Sequence, residues 1–414
     1  MCSTTIPGTR REQKGSTRLA NAIAVCAIVL LAGCGAPPQT VDPHAALSAA
    51  SARIDAVLAA SRAEARPAGE LPPMPSGAAT LRFWYYAHPL IGRAVSDQAA
   101  AIPGVTVEAQ YIGEWNVAIQ KLMASFVVDD LPDVGMVKRD LVAKLYESGR
   151  IRPLDAILPA ALLADFREEV IADYTYDGHL IALPADGFCS VLYYTKTSVG
   201  TTPPKNWSML NAFVNAHNAN PGPRPPRGMG AFPYMEALWS ADGNVLLDGT
   251  SGLSRPEAQR AFDFVLEVST TEDAAFQRWL AGGLGMTVAS SSHLPAAARS
   301  GLDYGVVPVP GETGPIARRS NDAVVVFVCD EGADGAAITK FLDWLTGPEV
   351  MGEAATSQGS VPIRKSLLSI ESKLPEIAAA YQAGKNTPLH PAWGAIESEL
   401  ERGLAEARQA VASG

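Results

Sequence analysis

The sequence lacks the short motifs that mark the common classes of enzyme. It has no HExxH zinc pair, no GxSxG nucleophile turn, no phosphate loop ending in Gly-Lys-Ser or Gly-Lys-Thr, and no CxxC. Its six histidines, at positions 44, 88, 179, 217, 293 and 390, never pair at ligand spacing, which argues against a preformed metal site. We therefore expect no catalytic residue, metal or cofactor; paired carboxylates suited to glycoside hydrolysis stay open as an alternative.

The sequence also has little basic charge. It carries 33 lysines and arginines against 43 acidic residues, a net charge of −10. Removal of residues 1–33, which hold four basic side chains and one acidic side chain, would make that net charge −13. Because proteins that bind nucleic acid neutralise phosphates with lysine and arginine, this composition argues against a nucleic-acid partner.

No apolar run near the start of the chain is long enough to cross a bilayer. Four basic residues precede a stretch of twelve mostly apolar residues, Ala22 to Gly33, whereas a spanning helix needs ~20. This pattern is typical of a secretory signal peptide. The segment Leu31-Ala32-Gly33-Cys34 resembles the bacterial lipobox, which implies cleavage before Cys34 and a lipid on its thiol. We expect an exported protein anchored to the outer face of the cell membrane; an ordinary signal peptide is the alternative.

Cysteine is scarce, with five in the whole chain. Once the signal is removed and Cys34 is acylated, only Cys189 and Cys329 remain. Two cysteines of an exported protein can pair, because disulfides persist in oxidising compartments. We predict a disulfide between Cys189 and Cys329, and the alternative is a pair of small buried thiols.

The composition of residues 34–80 predicts a stalk between the lipid anchor and the folded part. Asp42 and Pro43 offer an N-cap and a first-turn proline for a helix to about Glu64. The following RPAGELPPMPSG is typical of a stiff, extended linker. We expect this stalk to hold the folded part off the membrane and to carry no site.

The sequence pattern after residue 80 predicts a folded part with an α/β architecture. Strand-like runs LRFWYYAHP, GVTVEAQYI and PDVGMV alternate with helical stretches from about Ile91 to Ala101 and from about Asn116 to Val128. Strand, helix, strand, helix, strand is the pattern of parallel sheets with crossover helices. About 335 residues follow residue 80, which favours two lobes over one core.

Several stretches, in order, resemble the extracellular solute-binding proteins of ABC importers, in the branch that takes sugars and glycerol phosphate. The resemblance covers roughly residues 81–405. The matching stretches are DGHLIALPADGFCSVLYYTK (177–196), PPKNW (203–207), GLGMTVASSSHLPAA, YGVVPVPG, and FLDWLTGPEVMGEAATSQGSVPIRKS (341–366).

The resemblance implies an α/β fold of two lobes, joined by hinge strands, with a ligand cleft between them. We expect the first lobe at 81–187 plus 286–321 and the second at 188–285 plus 322–414. Cys189 and Cys329 would then lie on neighbouring strands of the second lobe. The implied function is that of a monomeric, membrane-anchored substrate-binding protein, not an enzyme, that delivers a carbohydrate-like solute to an ABC permease.

The resemblance also implies a set of ligand-binding residues at the ends of strands. Of these, Trp115 and Trp393 would stack on the ligand, and the charged and amide groups would bind hydroxyls. Core packing of the aromatics, structural hydrogen bonds of the histidines, and solvated charges at Lys138 and Arg139 stay open as alternatives. The full set is Tyr86, His88, Glu114, Trp115, Lys138, Arg139, Asp140, Asp186, Phe188, Tyr234, Ser291, His293, Asn321, Asp322 and Trp393.

The ligand class is narrowed by one departure from the family pattern. Gly394 stands where a glycerol-phosphate binder would be expected to carry an arginine for the phosphate. A desolvated phosphate needs a guanidinium or several backbone donors. A sugar, an amino sugar or a glycerophosphodiester is therefore favoured over a phosphomonoester. An exported glycoside hydrolase and a sensor or adhesin module are the alternative functions.

Overall fold

A computed structural model describes residues 42–64, 71–76, 79–88, 90–98, 102–217, 231–268, 275–329, 331–371 and 375–413. The predicted signal peptide and the predicted lipidation site Cys34 lie outside the described residues. Within the described ranges, no helix combines the length and apolarity that crossing a membrane requires.

Helices and strands alternate along most of the chain. The strands are β1 (Thr80–Tyr85), β2 (Thr106–Tyr111), β3 (Val134–Lys138), β4 (Ile151–Arg152), β5 (Thr175–Tyr176), β6 (His179–Leu180), β7 (Leu183–Pro184), β8 (Ser190–Thr195), β9 (Leu246–Leu247), β10 (Thr250–Ser251), β11 (Met286–Ser290), β12 (Tyr304–Val307), β13 (Val309–Pro310), β14 (Pro315–Arg318), β15 (Asp322–Phe327) and β16 (Gly384–Lys385). The helices are α1 (Pro43–Glu64), α2 (Ile91–Gln98), α3 (Trp115–Val128), α4 (Arg139–Glu147), α5 (Ala160–Asp165), α6 (Glu168–Tyr174), α7 (Lys196–Val199), α8 (Trp207–His217), α9 (Ala231–Ser240), α10 (Pro256–Val268), α11 (Ala275–Leu280), α12 (Leu294–Arg299), α13 (Gly335–Leu345), α14 (Pro348–Gln358), α15 (Leu368–Glu371), α16 (Pro375–Ala383) and α17 (Trp393–Ser413).

The first lobe is built on a sheet of strand order β2-β1-β3-β15-β4, with β7 paired to β15. Strand β1 is parallel to β2 and β3, as the alternation of strands and helices predicts, whereas β15 is antiparallel to β3. Phe83 of β1 is buried at the centre and meets Phe341 of α13 with ring centroids 4.9 Å apart. The lobe has one continuous apolar core around this sheet.

The second lobe has two apolar clusters. Strand β8 is buried along its whole length and lies between β11 and β12, antiparallel to both. Around it, Tyr193 and Trp279 pack with ring centroids 5.5 Å apart. The other cluster joins helices α1, α9, α10 and α17 and buries Tyr234 and Trp393 completely.

The structure corrects the predicted division of the C-terminal half between the lobes. Residues 286–321 were expected in the first lobe, yet β11 and β12 pair with β8 of the second lobe. Residues 322–414 were expected in the second lobe, yet β15 inserts between β3 and β4, and α13 and α14 pack on the first-lobe core. The run AVVVFV of β15 is apolar on both faces, which suits a strand covered on both sides.

Two segments of the described chain, 185–190 and 318–322, run from one lobe to the other, and a first-lobe loop at 359–363 is hydrogen bonded to the first of them. The Val361 amide donates to the carbonyl oxygen of Gly187 at 2.9 Å, and the Gly187 amide donates to Ser360 Oγ at 3.0 Å. The Ser320 amide donates to the carbonyl oxygen of Phe188 at 2.9 Å. The crossings at 185–190 and 318–322, together with the loop at 359–363, therefore form one hinge unit.

Helix α1 corrects the predicted stalk. It starts at Asp42 and Pro43 as predicted, with the His44 amide donating to Asp42 Oδ1 at 3.1 Å. Its apolar side is buried against α17, with Ile54 fully covered, and Arg53 donates to Glu399 at 2.6 Å. An apolar helix stripe is stable only when covered. This helix is therefore part of the second lobe and not a free spacer.

The linker after α1 also touches the fold. Arg152 of β4 donates to the carbonyl oxygens of Pro72 and Pro73 at 2.6 and 3.1 Å. Met74 packs against the first-lobe core. Residues 71–76 thus lie along the first lobe.

The predicted disulfide is wrong, because both cysteines are free. The thiol of Cys189 lies in the second lobe, 3.8 Å from the carbonyl oxygen of Ile377. Cys329 follows β15 in the first lobe, where its thiol approaches the carbonyl oxygen of Pro132 at 3.3 Å. Burial raises the pKa of Cys189 to about 12 and that of Cys329 to about 11, so both thiols stay protonated at neutral pH.

Candidate functional site

A cavity of about 520 Å³ lies beside the hinge unit, and we call it the cleft. Its walls come from both lobes: the first lobe supplies strand ends and helix starts, and the second supplies β8, β11, β14, α9 and α17. The lining residues are His88, Trp115, Lys138, Asp140, Phe188, Cys189, Ser190, Phe232, Ser290, Ser292, Arg318, Ser320, Asn321, Asp322 and Glu397.

The parallel strands explain the first-lobe side of the cleft. His88 follows β1, Trp115 starts the helix after β2, and Lys138 ends β3. Ligands of open α/β sheets bind outside the carboxyl ends of the strands. A second cavity, of about 530 Å³, lies at the opposite ends of the strands near Thr80 and Arg82, and none of its described lining residues is aromatic. The cleft is therefore the better candidate site.

A buried His–Asp pair forms the floor of the cleft. His88 Nε2 lies 2.8 Å from Asp186 Oδ2, with 1% and 0% of the two side chains exposed. The same carboxylate accepts from the Phe188 amide at 2.7 Å and from Ser320 Oγ at 3.0 Å. Asp186 thus links the crossings at 185–190 and 318–322 to the loop of the first lobe that carries His88.

Beside this pair, Asp322 holds the side chains of Lys138 and Tyr86. Its Oδ1 accepts from both Lys138 Nζ and the Tyr86 hydroxyl, and the ammonium lies 5.2 Å from the centre of the Tyr86 ring. Burial, and then the Asp322 charge, raise the pKa of Tyr86 well above its ordinary value. Lys138 is therefore an ion-paired cation and not a solvated one.

The floor also contains a set of atoms that could ligate a metal. His88, Asp186 and Asp322 bring one candidate ligand atom each to within 4.8 Å of one another. Lys138 and Tyr86 already hydrogen bond to the Asp322 carboxylate, and His88 already contacts Asp186. These contacts make the group an internal hydrogen-bond network.

Aromatic side chains stand on both sides of the cleft. Trp115 is half-buried and meets the edge of Tyr86 with ring centroids 5.1 Å apart. Phe232, at the start of α9, is 36% exposed and lies under the Arg318 guanidinium at 4.2 Å. Each wall therefore offers an aromatic face beside polar groups.

Two further carboxylates face the cleft, Asp140 of α4 and Glu397 of α17. Burial raises the pKa of Asp140 above its ordinary value. Burial, followed by the Asp140 charge, raises the pKa of Glu397 to about 7. The negative charge of Asp140 therefore disfavours the ionised form of Glu397.

Comparison with known proteins agrees with this architecture. A sequence profile of the bacterial extracellular solute-binding proteins matches residues 94–383. The chain belongs to this family. The sn-glycerol-3-phosphate-binding periplasmic protein UgpB of Escherichia coli K12 is 23% identical over 328 residues, which cover 69% of this chain and 75% of that protein. Membership implies that the protein is exported.

Solved structures of similar fold are two-lobe binding proteins. The cyclic alpha-maltosyl-1,6-maltose binding protein from Arthrobacter globiformis has a TM-score of 0.66 at 21% identity, covering 81% of this chain and 98% of that one. UgpB from Mycobacterium tuberculosis, in complex with glycerophosphocholine, has a TM-score of 0.63 at 18% identity, covering 80% and 97%. The predicted two-lobe α/β fold is confirmed.

The structure brings most of the predicted residues of this solute-binding protein to the cleft or directly beneath it. Glu114 is exposed at the start of α3 and does not line the cavity. The members that line it are His88, Trp115, Lys138, Asp140, Phe188, Asn321 and Asp322, and Tyr86 and Asp186 support them from behind.

Two predicted residues turn out to be buried in the second lobe. Trp393 is fully covered in the cluster that α17 shares with α1, so it does not stack on a ligand. Tyr234 is also fully covered, and its hydroxyl donates to the carbonyl oxygen of Ala258 at 3.2 Å. Both aromatics build the core, which is the alternative that the sequence left open.

Three of the predicted site residues, all polar, form hydrogen bonds within the protein. Arg139 is 4% exposed and donates to the carbonyl oxygens of Thr387 and Asp173. Ser291 is fully buried and accepts from the Cys189 amide at 3.2 Å. His293 places Nδ1 at 3.2 Å from the carbonyl oxygen of Ser290.

The lining residues that the sequence analysis missed lie next to predicted ones. Phe232 is two positions before Tyr234 in α9, and residues two apart in a helix point to different faces. Ser290 and Ser292 flank the predicted Ser291. Glu397 is one helical turn after Trp393. The resemblance therefore located the segments, and the helix or strand face decided which residue reaches the cleft. The remaining missed residues are Cys189, which was predicted only as a disulfide partner, Ser190, Arg318 and Ser320.

Proposed function

We propose that this protein is the substrate-binding component of an ABC importer and captures a carbohydrate-like solute outside the cytoplasm. The observation that carries this proposal is the cleft: a cavity of about 520 Å³ at the hinge unit, with an aromatic face and hydroxyl-bearing side chains on its walls. Cavities of this size hold small organic solutes. Capture works by hinge closure, because a ligand that contacts both lobes favours the closed state by its differential affinity.

The ligand is proposed to be a sugar, an amino sugar or a glycerophosphodiester. The serines at 190, 290, 292 and 320 can donate to and accept from hydroxyls. A phosphomonoester fits poorly, because Asp140, Asp322 and Glu397 would face a dianion. Gly394 is exposed on α17 and supplies no guanidinium. Relatives named for maltose derivatives and for glycerophosphocholine favour the same solute classes.

Replacement of Trp115 by alanine is expected to weaken solute binding about tenfold to a hundredfold, because the tryptophan supplies the half-buried aromatic face of the first-lobe wall. Isothermal titration of the wild-type and variant proteins with a panel of sugars, amino sugars and glycerophosphodiesters measures this loss.

The matched control is Tyr111→Ala, which removes an aromatic ring that is 52% exposed on edge strand β2 and outside the cleft. Unchanged affinity in the Trp115 variant would refute the proposed binding site. Chemical conversion of any solute in the panel would favour the alternative of an exported glycoside hydrolase.

The proposed working position is the outer face of the cell membrane, with a lipid on Cys34 and a monomeric protein that docks on its permease. The lipobox-like segment supports this proposal, and two or more acyl chains suffice for stable anchoring. Substitution of Cys34 by alanine is expected to move the protein from the membrane fraction to the soluble fraction. The readouts are fractionation and the mass of the mature N-terminus, and an acyl-free wild-type N-terminus would refute the anchor.

A further inference from the structure

We propose that Asp140 and Glu397 form a subsite for a positively charged nitrogen, so that the transported solute carries a protonated amine or ammonium group beside its hydroxyls. This inference rests on the proposed function and narrows its substrate class. It is carried by the placement of the two carboxylates on opposite walls of the cleft and by the partners of the charged groups around them.

The charges of the cleft do not balance among themselves. Lys138 is the partner of Asp322, and His88 is the partner of Asp186. The Arg318 guanidinium lies over the Phe232 ring and makes no ion pair among the described residues. Asp140 and Glu397 likewise have no ion-pair partner within the described ranges. The Lys138 charge acts on Asp140 as well as on its partner Asp322, and the Arg318 charge acts on Glu397 as well as on the buried Glu236. Each cation thus faces two carboxylates, and this leaves room for a further positive charge.

One carboxylate oxygen of Asp140 accepts no hydrogen bond from the described part of the protein. Backbone hydrogen bonds from the start of α4 favour its ionised form. Its Oδ1 is buried and has no hydrogen-bond partner in the described part of the chain. A buried acceptor without a partner is costly. A ligand donor in the cleft would satisfy this oxygen.

Glu397 approaches Asp140 from the other lobe. It lies on α17 of the second lobe, and α17 contacts α4 of the first lobe. Bringing two carboxylates together in a partly desolvated site opposes closure. A cation between them removes the repulsion and bonds to both lobes, so it favours the closed state more than a neutral group would. The same pair therefore selects the solute and couples its binding to closure.

The test compares solutes that differ in one charge. Isothermal titration at pH 7, where the amines of the amino sugars are mostly protonated, measures glucosamine against glucose, galactosamine against galactose, and glycerophosphocholine against glycerophosphoglycerol. Only the first member of each pair carries a positively charged nitrogen, and we expect that member of at least one pair to bind at least about tenfold tighter. Equal or tighter binding of the members without a charged nitrogen would overturn the subsite and leave the proposed function standing. Binding of none of the six would overturn both.

The decisive variant is Glu397→Gln, with Asp140→Asn as its counterpart on the other lobe. Each is expected to lower affinity for the preferred solute with a charged nitrogen about tenfold or more, while affinity for the matching solute without that nitrogen changes less than twofold. The control Glu108→Gln removes one negative charge from exposed strand β2, outside the cleft, and should change neither affinity. Equal losses for both members of a pair would indicate a general role in the cleft and overturn the subsite.

A second readout does not depend on any solute. The pKa of Glu397 is about 7 in the folded protein against an ordinary 4.5, because of burial, Asp140 and Glu401, with Arg318 acting in the opposite direction. Its ionisation in the folded state therefore lowers stability as pH rises from about 4.5 to 7. Glu397→Gln should melt at a higher temperature than the wild type at pH 8 and at the same temperature at pH 4.5. A lower melting temperature at pH 8 would overturn the account of Glu397 as an uncompensated charge.

Discussion

Replacement of Gly187 by alanine is expected to lower the stability of the protein by about 3 kcal/mol or more, a large effect for one methyl group. Gly187 is buried in the hinge unit, where its carbonyl oxygen accepts from the Val361 amide at 2.9 Å. An added Cβ would overlap the Val361 carbonyl oxygen and lie 2.7 Å from its carbon. Backbone atoms cannot move aside as a side chain can, so the crossing at 185–190 and the loop at 359–363 must separate. Thermal and urea unfolding measure the loss.

Gly314→Ala is the matched control, since a Cβ at Gly314 has no atom within 4 Å. This variant should unfold within about 0.5 kcal/mol of the wild type. Equal stability of the Gly187 and Gly314 variants would mean that the segments around Gly187 and Val361 are not packed as described. The Gly187 variant should also lose solute binding, because the hinge unit positions Phe188 and Ser320 in the cleft.

Replacement of Asp186 by alanine is expected to cost about 3–5 kcal/mol and to abolish solute binding at concentrations that saturate the wild type. The carboxylate is fully buried and is the acceptor for His88, for the Phe188 amide and for Ser320. Without it, three buried donors lose their partner at the floor of the cleft, and each lost partner is costly. Urea unfolding and titration with the preferred solute report the two effects separately.

The chain supplies a surface version of the same pair as the control. His179 Nδ1 lies 2.9 Å from Asp155 Oδ2, but 48% and 36% of the two side chains are exposed. Asp155→Ala should cost less than about 1 kcal/mol and leave binding intact, because water replaces an exposed partner. If the two variants lost equal stability, burial would not be the source of the Asp186 effect.

Local patterns in the sequence correctly predicted strands and helix starts in the first half of the chain. The alternating run around Phe83 and the capped helix at Asp42 both appear where the pattern puts them, because strand alternation and helix capping act over a few residues. The strand and the helix start depend on chain neighbours and can be predicted from one sequence. The segments of the cleft were located by the resemblance to the solute-binding family.

Strand pairing and side-chain contacts between residues far apart in the chain could not be predicted from local patterns. The run AVVVFV of β15 fits any fully covered strand, and only its pairing with β3 places it in the first lobe. The predicted disulfide failed for the same reason, because Cys329 follows that strand. Similarly, aromatic spacing in α9 and α17 does not reveal which ring faces the cleft, so Tyr234 and Trp393 were chosen and Phe232 was missed.

The packing of α1 on α17 has a consequence for how the chain acquires its structure. Arg53 and Glu399 meet although they are 346 residues apart, so helix α1 lacks its most distant partner in the chain until α17 has been made. Contacts between such distant residues form slowly, because a long loop must close before they stabilise anything. The second lobe therefore completes late, after nearly the whole polypeptide has emerged.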